Sequence, residues 1–524
     1  MPAGKPCARY GVLAAILATL GSPEIRPGAG IDAYLKARKV LDLGVQALGG
    51  EEALRATRTV RREVSGDWYG SGQGPRPERF SGPTLTPPRS NGRSRITSFI
   101  DYDGGRWLEQ AVESDFAGDS ITRVTAAAED LGFETITYRA EKPFYRTFAD
   151  PDLRALRTGR LRRHPEGLLR MALDRPETLE WVGEEDVSGR RQQIISFTDT
   201  LGTRILLYFD APTHRMTRSE ILRSHPIAGD SSSDVVFDDY RKAGALMLPF
   251  HTVDRRAGVP VEAVRASTIE VNGAFPEERL RPPLEFARMV EDPAEQSVED
   301  LGGGLYLIRG PYNTLFAAFR DHVVVFEAPV SSAYSGAGLE RVRATVPDKP
   351  IRFLVSTHFH FDHVAGVRTY VAEDVPVVTT PDAKGVIERV VSARHTMHPD
   401  RLSAHPRAAR IETVTRQRVF DDGANRAELH DFGPTEHCAQ ILAAYFPRQK
   451  VLFVPDLWDI ISTEQLIAGA DAVSMARKIR DLGLEVERVI PVHGAPGTMP
   501  MLRRALAARA KYFPEEGAVG KGGR

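Results

Sequence analysis

Thr357-His358-Phe359-His360-Phe361-Asp362-His363 places three imidazoles and a carboxylate within six positions. The run directly follows Ile351-Arg352-Phe353-Leu354-Val355-Ser356, an apolar stretch that reads as a buried strand. In extended backbone alternate side chains point the same way, so His358 and His360 are expected to converge on one point. Asp362 and His363 follow where the chain turns. Neutral imidazole and carboxylate are ligands that suit zinc or a similar borderline metal. A fold for this chain must therefore deliver the run from a strand end and bring further ligands to meet it.

The 524 residues are too many for one ordinary core, and two or three domains are expected. A 42% hydrophobic fraction is ample for buried cores. Sixty-nine basic residues nearly cancel seventy acidic ones, leaving a formal charge of −1. No global basic field favours nucleic acid, so a small molecule is the expected partner. Cys7 and Cys438 make no disulfide framework. Lys5 and Arg9 precede the short apolar run Tyr10–Leu20, which ends at Gly21-Ser22-Pro23. That layout reads as a signal peptide too short to anchor in a bilayer, predicting a periplasmic or secreted protein. A cytoplasmic protein is the alternative if the N-terminus is not such a signal. No other stretch is apolar enough to span a membrane, and nothing in the sequence speaks to oligomeric state.

Along the chain, residues 1–30 read as signal and linker. Tyr34, Ala37, Leu41, Val45 and Leu48 fall at helical spacing before a stop at Gly49-Gly50. Gly70–Pro88, rich in Gly, Pro and Ser, reads as an exposed loop. Pro151–Leu173 reads as largely helical. Strands are expected at Gln193–Thr198, Arg204–Phe209, Met216–Leu222, Ser233–Tyr240 and Val261–Val271. Tight connections imply an antiparallel meander folded into an open half-barrel around one or two helices. This region, 31–285, resembles the periplasmic lipoprotein-sorting carriers through Ala47-Leu48-Gly49-Gly50, Phe237-Asp238-Asp239-Tyr240-Arg241, Ile269-Glu270-Val271-Asn272 and Leu280-Arg281-Pro282-Pro283. The resemblance implies a concave apolar surface able to cover a hydrophobic ligand; a β-rich spacer that binds nothing is the plainer reading.

Residues 286–297, acidic and holding Pro293, read as a linker. Paired strands then give way to alternating helix and strand, which predicts an α+β layered unit over 298–515 and a flexible tail over 516–524. Three later positions offer the ligands that the first run lacks. His437 lies in the loop Phe432-Gly433-Pro434-Thr435-Glu436-His437-Cys438, and Asp456 ends the apolar run Val451–Asp456. His493 ends Val489-Ile490-Pro491-Val492-His493 in the same manner. Each is delivered by a strand or its loop to one end of a sheet.

This order of residues resembles the metallo-β-lactamase superfamily, whose pattern is His-x-His-x-Asp-His, a later His, a bridging Asp and a terminal His. The resemblance implies a four-layer αββα sandwich with two zinc ions at one edge of the paired sheets, iron or manganese being alternatives. It assigns His358, His360 and His437 to the first ion, and Asp362, His363 and His493 to the second, with Asp456 bridging. It also implies a hydrolase in which a water shared by the ions, its pKa lowered from about 15.7 toward 7, attacks an ester, lactone, thioester or similar bond. Asp362 and Asp456 are then the catalytic carboxylates. A carboxylate at 456 resembles the glyoxalase II, lactonase and phosphodiesterase branches rather than the β-lactamases with Cys there. Two departures stand out: Pro455 replaces the usual Gly, and Glu327-Ala328-Pro329 replaces the usual Asp-x-Gly.

His395 and His398 lie in a segment that covers the site in such proteins, making them candidate substrate contacts. Tyr312, Asn313 and Trp458 are candidates for the pocket mouth, with core packing as the plainer reading of each. Cys438 reads as a small buried packing residue, and Asp459 as a support for Asp456 or a helix cap. The rivals are a hydrophobic-ligand carrier with a vestigial metal domain, a β-lactamase, and an iron-dependent oxidoreductase, which would need a Glu where His360 stands.

Overall fold

A computed structural model of the chain describes residues 29–69, 73–74, 76–77, 90, 92–115, 120–128, 130–138, 143–148, 150, 152–289, 295–460 and 466–512. The signal-peptide reading and the C-terminal tail fall outside them. The protein is a mixed α/β structure whose strands sort into sheets of fourteen, seven and six. Among the described residues no helix is long and apolar enough to cross a membrane.

The fourteen-stranded sheet runs from Thr59 to Arg288, and all its pairings but one are antiparallel. A hairpin joins Gly92–Asp101 to Arg106–Asp115. The helix expected over 151–173 is two helices, Asp152–Leu161 and Pro165–Leu173. Pro165 explains the break, since its ring fits the first turn of a helix and not the interior. Ala29–Leu48 buries Ala37, Leu41, Val45 and Leu48 against Leu168, Ile195, Phe197, Leu207, Phe209 and Leu248. A cleft on this sheet is lined by Arg160, Arg163, Glu109, Asp254 and Glu262 as well as Trp107 and Phe250. Val64, Ile96, Val235, Val264 and Ala266 line it as well, so charged and apolar groups share the cleft.

The other two sheets carry two-sided burial. Val323, Val324, Val325 and Phe326 are all buried, which is why their strand reads as an unbroken apolar run. Val324 and Phe326 join a cluster with Leu305, Leu307, Leu429, Leu442, Phe446, Phe453 and Ile490, contributed by both sheets. Val323 and Val325 face the other way, into a cluster with Leu339, Val367, Ile387 and Val390 from the covering helices. Val451–Val454 divides likewise, Val451 and Phe453 between the sheets, Leu452 and Val454 beneath Met475 and Leu502. Period-two alternation thus builds one core between the sheets and further cores under the helices. Ile351–Val355 lies parallel to Val323–Phe326, and Arg488–Pro491 parallel to Val451–Val454. Parallel pairing puts the C-terminal ends of neighbouring strands at one edge, where the loops carrying the histidines begin.

Candidate metal centre

His358, Phe359 and His360 leave the end of Ile351–Val355 with alternating directions. Phe359 is 1% exposed in the core, while the rings of His358 and His360 lie 4.4 Å apart. The convergence expected from extended backbone is present. Asp362 and His363 sit in the single turn Phe361–Val364. Asp456 follows Val451–Val454, His493 follows Arg488–Pro491, and His437 comes from the loop before Leu442–Phe446.

These seven residues form two groups, His358, His360, His437, Asp456 and Asp362, His363, Asp456, His493, with the offered atoms of each group within 4.8 Å of one another. Asp456 belongs to both. Its Oδ2 faces His437 Nε2 at 2.9 Å, His358 Nε2 at 3.6 Å and His360 Nδ1 at 4.0 Å. Its Oδ1 faces His493 Nε2 at 3.0 Å and His363 Nε2 at 3.1 Å. Asp362 Oδ2 lies 3.3 Å from His493 Nε2.

The arrangement is incomplete as a network of protein groups. Nitrogen faces nitrogen between His437 and His358 at 3.2 Å, and between His493 and His363 at 3.4 Å. His360 Nδ1 is buried without a hydrogen-bond partner among the described residues. Buried polar atoms are ordinarily paired, and such convergence of lone pairs calls for cations. The donor set, imidazole nitrogen and carboxylate oxygen, suits zinc and its neighbours. The residues of each group could hold a metal ion.

Charge follows the geometry. Burial pushes His358 well below the usual imidazole range and His360 down to about 3. Desolvation works against charge on His493, yet Asp456 and Asp362 push it up to about 10. It also opposes ionisation of Asp362, yet His363 and His493 hold that carboxyl down to about 2. Asp459, which lines the cavity, is pushed up to about 7 by desolvation and then by Asp456, against the pull of His493.

Neighbouring groups fix the rings. Glu327, fully buried and at φ 84°, accepts the Thr357 N–H at 3.1 Å and lies 3.2 Å from His363 Nδ1. That contact turns His363 Nε2 toward Asp456, as outer carboxylates do for metal-binding histidines. Thr357 Oγ1 lies 3.1 Å from His358 Nδ1, and the His437 N–H donates to Asp471 at 2.8 Å. Asn313 is fully buried and donates to the carbonyls of Pro491 and Gly494, clamping the loop of His493.

Two further contacts come from the fourteen-stranded part. Gly74 carbonyl accepts from His360 Nε2 at 2.9 Å, which leaves His360 Nδ1 as the lone-pair atom facing the centre. Gln73 Nε2 donates to Asp362 Oδ1 at 2.6 Å. Within Gly70–Pro88, expected as an exposed loop, Arg76 is exposed, whereas Gly74 is buried and Gln73 half-buried. Polar composition flags a loop but not what the loop covers. Gln73 and Gly74 carry no sequence signal, whereas Glu327 was visible only as a departure from a pattern.

The cavity over the centre, about 530 Å³, is lined by Asp362, His437, Asp456 and His493 with Asp459, Ile460, Asp471 and Gly494. Gln73, Ile136, Arg146 and Met289 line its other side. His395 and His398 are absent from that lining: His395 Nδ1 lies 3.5 Å from Ser224 Oγ, and His398 is exposed. Tyr312 packs edge-on to His493, ring centres 4.8 Å apart, and Trp458 is 3% exposed in the core. Cys438 is fully buried, its thiol pushed up by burial.

No protein-family model matches the sequence. Among solved structures, the chain is similar to a metallo-β-lactamase from Pontibacter korlensis, at 18% identity over 41% of this chain and 98% of that one, with a TM-score of 0.33. It is similar to DIM-1 metallo-β-lactamase at 17% identity over 42% and 100%, and to TMB-1 at 17% over 42% and 98%, each with a TM-score of 0.33. These are distant likenesses covering about two-fifths of the chain.

Proposed function

We propose that the protein is a binuclear metal-dependent hydrolase of the metallo-β-lactamase type, with residues 298–515 as an αββα catalytic unit. The observation that carries this reading is Asp456, which turns one oxygen to each of two histidine-rich groups. His358, His360 and His437 would hold one ion, Asp362, His363 and His493 the other, and Asp456 both. Zinc suits the set, and iron or manganese would also be accepted. Two such ions supply an activated water and a Lewis acid at neutral pH.

The substrate is a small molecule with an ester, lactone or thioester bond. Water adds to the carbonyl, the bond to the leaving oxygen or sulfur breaks, and the proton from water passes to the leaving atom. Asp362 is the carboxylate placed to carry that proton: Gln73 holds one of its oxygens, and the other faces His493. Asp456 keeps the two halves of the centre in register. Glu327, Thr357 and Asp471 hold the surrounding groups so that they need not reorganise during reaction.

Plasma emission on the purified full chain is expected to give two metal equivalents. His360→Ala or Asp456→Ala should lose metal and at least about a thousandfold in ester turnover, about 4 kcal/mol of transition-state stabilisation. Full metal content in His360→Ala would overturn the reading.

A further inference from the structure

The cavity has two unlike sides. One carries the centre and four carboxylates, Asp362, Asp456, Asp459 and Asp471. The other belongs to the edge of the fourteen-stranded sheet, where Ile136 and Arg146 come from neighbouring strands and Met289 directly follows the strand Ala287–Arg288. Arg146 is the one Arg or Lys among the described lining residues.

Its guanidinium is held in place. Arg146 stands opposite Glu134 across the strand pair and gives that carboxylate two bonds, from Nε at 2.9 Å and Nη2 at 2.6 Å. Glu134 is largely buried and is shared with Arg123 Nε at 3.2 Å, so it is doubly neutralised from its own sheet. Arg146 Cζ also lies 5.4 Å over the Phe148 ring, and the side chain, 53% exposed, lines the cavity. A planar fork fixed along one edge, with its remaining N–H groups open to a cavity, is pre-organised to bind an anion. Ile136 and Met289 beside it offer apolar surface.

We propose that Arg146 binds a negatively charged group of the substrate, so that the protein acts on acyl compounds bearing a carboxylate or similar anion beside a short apolar segment. The proposal rests on the hydrolase reading for the reaction, but not for the binding. Arg146 sets substrate class, and the fourteen-stranded part becomes a wall of the site rather than an appendage.

The test uses the zinc-loaded full chain. Calorimetric titration compares glutarate with butyrate, which share one carboxylate while glutarate alone carries a second. The wild-type protein should prefer glutarate, and Arg146→Gln should reduce that preference about 10- to 100-fold, the effect of one charge-assisted hydrogen-bonded contact. Arg146→Lys should restore part of it, which a merely structural role would not do. The ratio of kcat/KM for mono-4-nitrophenyl glutarate over 4-nitrophenyl valerate should fall in parallel. An equal preference in wild type and Arg146→Gln, or none in wild type, overturns the proposal. A preference that depends on Arg146, with neither ester turned over, supports the anion site and counts against the hydrolase reading instead.

Discussion

Two polar clusters, one under the helices of the seven-stranded sheet and one at the strand ends of both smaller sheets, are built to opposite plans. Around Arg368, 2% exposed, every guanidinium nitrogen finds an acceptor. Nε and Nη2 bind the two oxygens of Asp400 at 2.6 and 2.8 Å, and Nη1 donates to the carbonyls of Val390, Val391 and Ala393. Asp400 in turn accepts from Ser332 and Ser403 and caps Arg401–Ala404. In the histidine centre His358, His360 and His363 are fully buried too, yet nitrogens face one another and His360 Nδ1 has no hydrogen-bond partner among the described residues. One cluster spends its polar groups on holding segments together. The other keeps lone pairs in reserve, and only a ligand from outside can use them.

The largest effect that would break this contrast lies in the satisfied cluster. Asp400→Ala leaves the Arg368 charge buried and uncompensated, and should cost about 3–5 kcal/mol in a denaturant titration. Metal stoichiometry should not change. Asp400 also gives the pair a pH signature. Although desolvation works the other way, Arg368 and Ser403 hold its carboxyl below the usual range. Its folded pKa is depressed, so its stability contribution is full above about pH 4, the ordinary carboxylate value, and is lost as pH falls through the folded value. The wild-type advantage over Asp400→Ala should shrink below about pH 4 and hold at neutrality.

Glu327→Ala tests the opposite plan. It removes the group that orients His363 and should weaken metal binding about 10- to 100-fold, measured by competition with a chelator. Unaltered metal affinity would make Glu327 a loop support and no more. Gln73→Ala should be milder, lowering kcat/KM about tenfold while metal content stays near the wild-type value. A Gln73→Ala protein with no change in either would show that the tie to Asp362 is incidental.

The same contrast explains what was legible in the sequence. Ligands in reserve must stand at strand ends in a fixed order, so His358, His360, Asp362, His363, His437, Asp456 and His493 could be read, and the structure brings all seven together. Arg368 and Asp400 have no pattern, because one arginine satisfied by carbonyls looks like any surface arginine. Gln73 and Gly74 sit in a Pro- and Gly-rich stretch without periodicity, and their partners are fixed by tertiary folding alone. His395 and His398 drew notice by residue type, yet they lie outside the cavity lining.

Gln73 and Asp362 are 289 positions apart, and Gly74 and His360 are 286. Contacts that close loops of this length form late in folding, after local structure has been made. The last of the seven groups, His493, lies 130 positions after His363. A complete centre is therefore a late product of folding: it exists only once Gln73 and Gly74 have met Asp362 and His360.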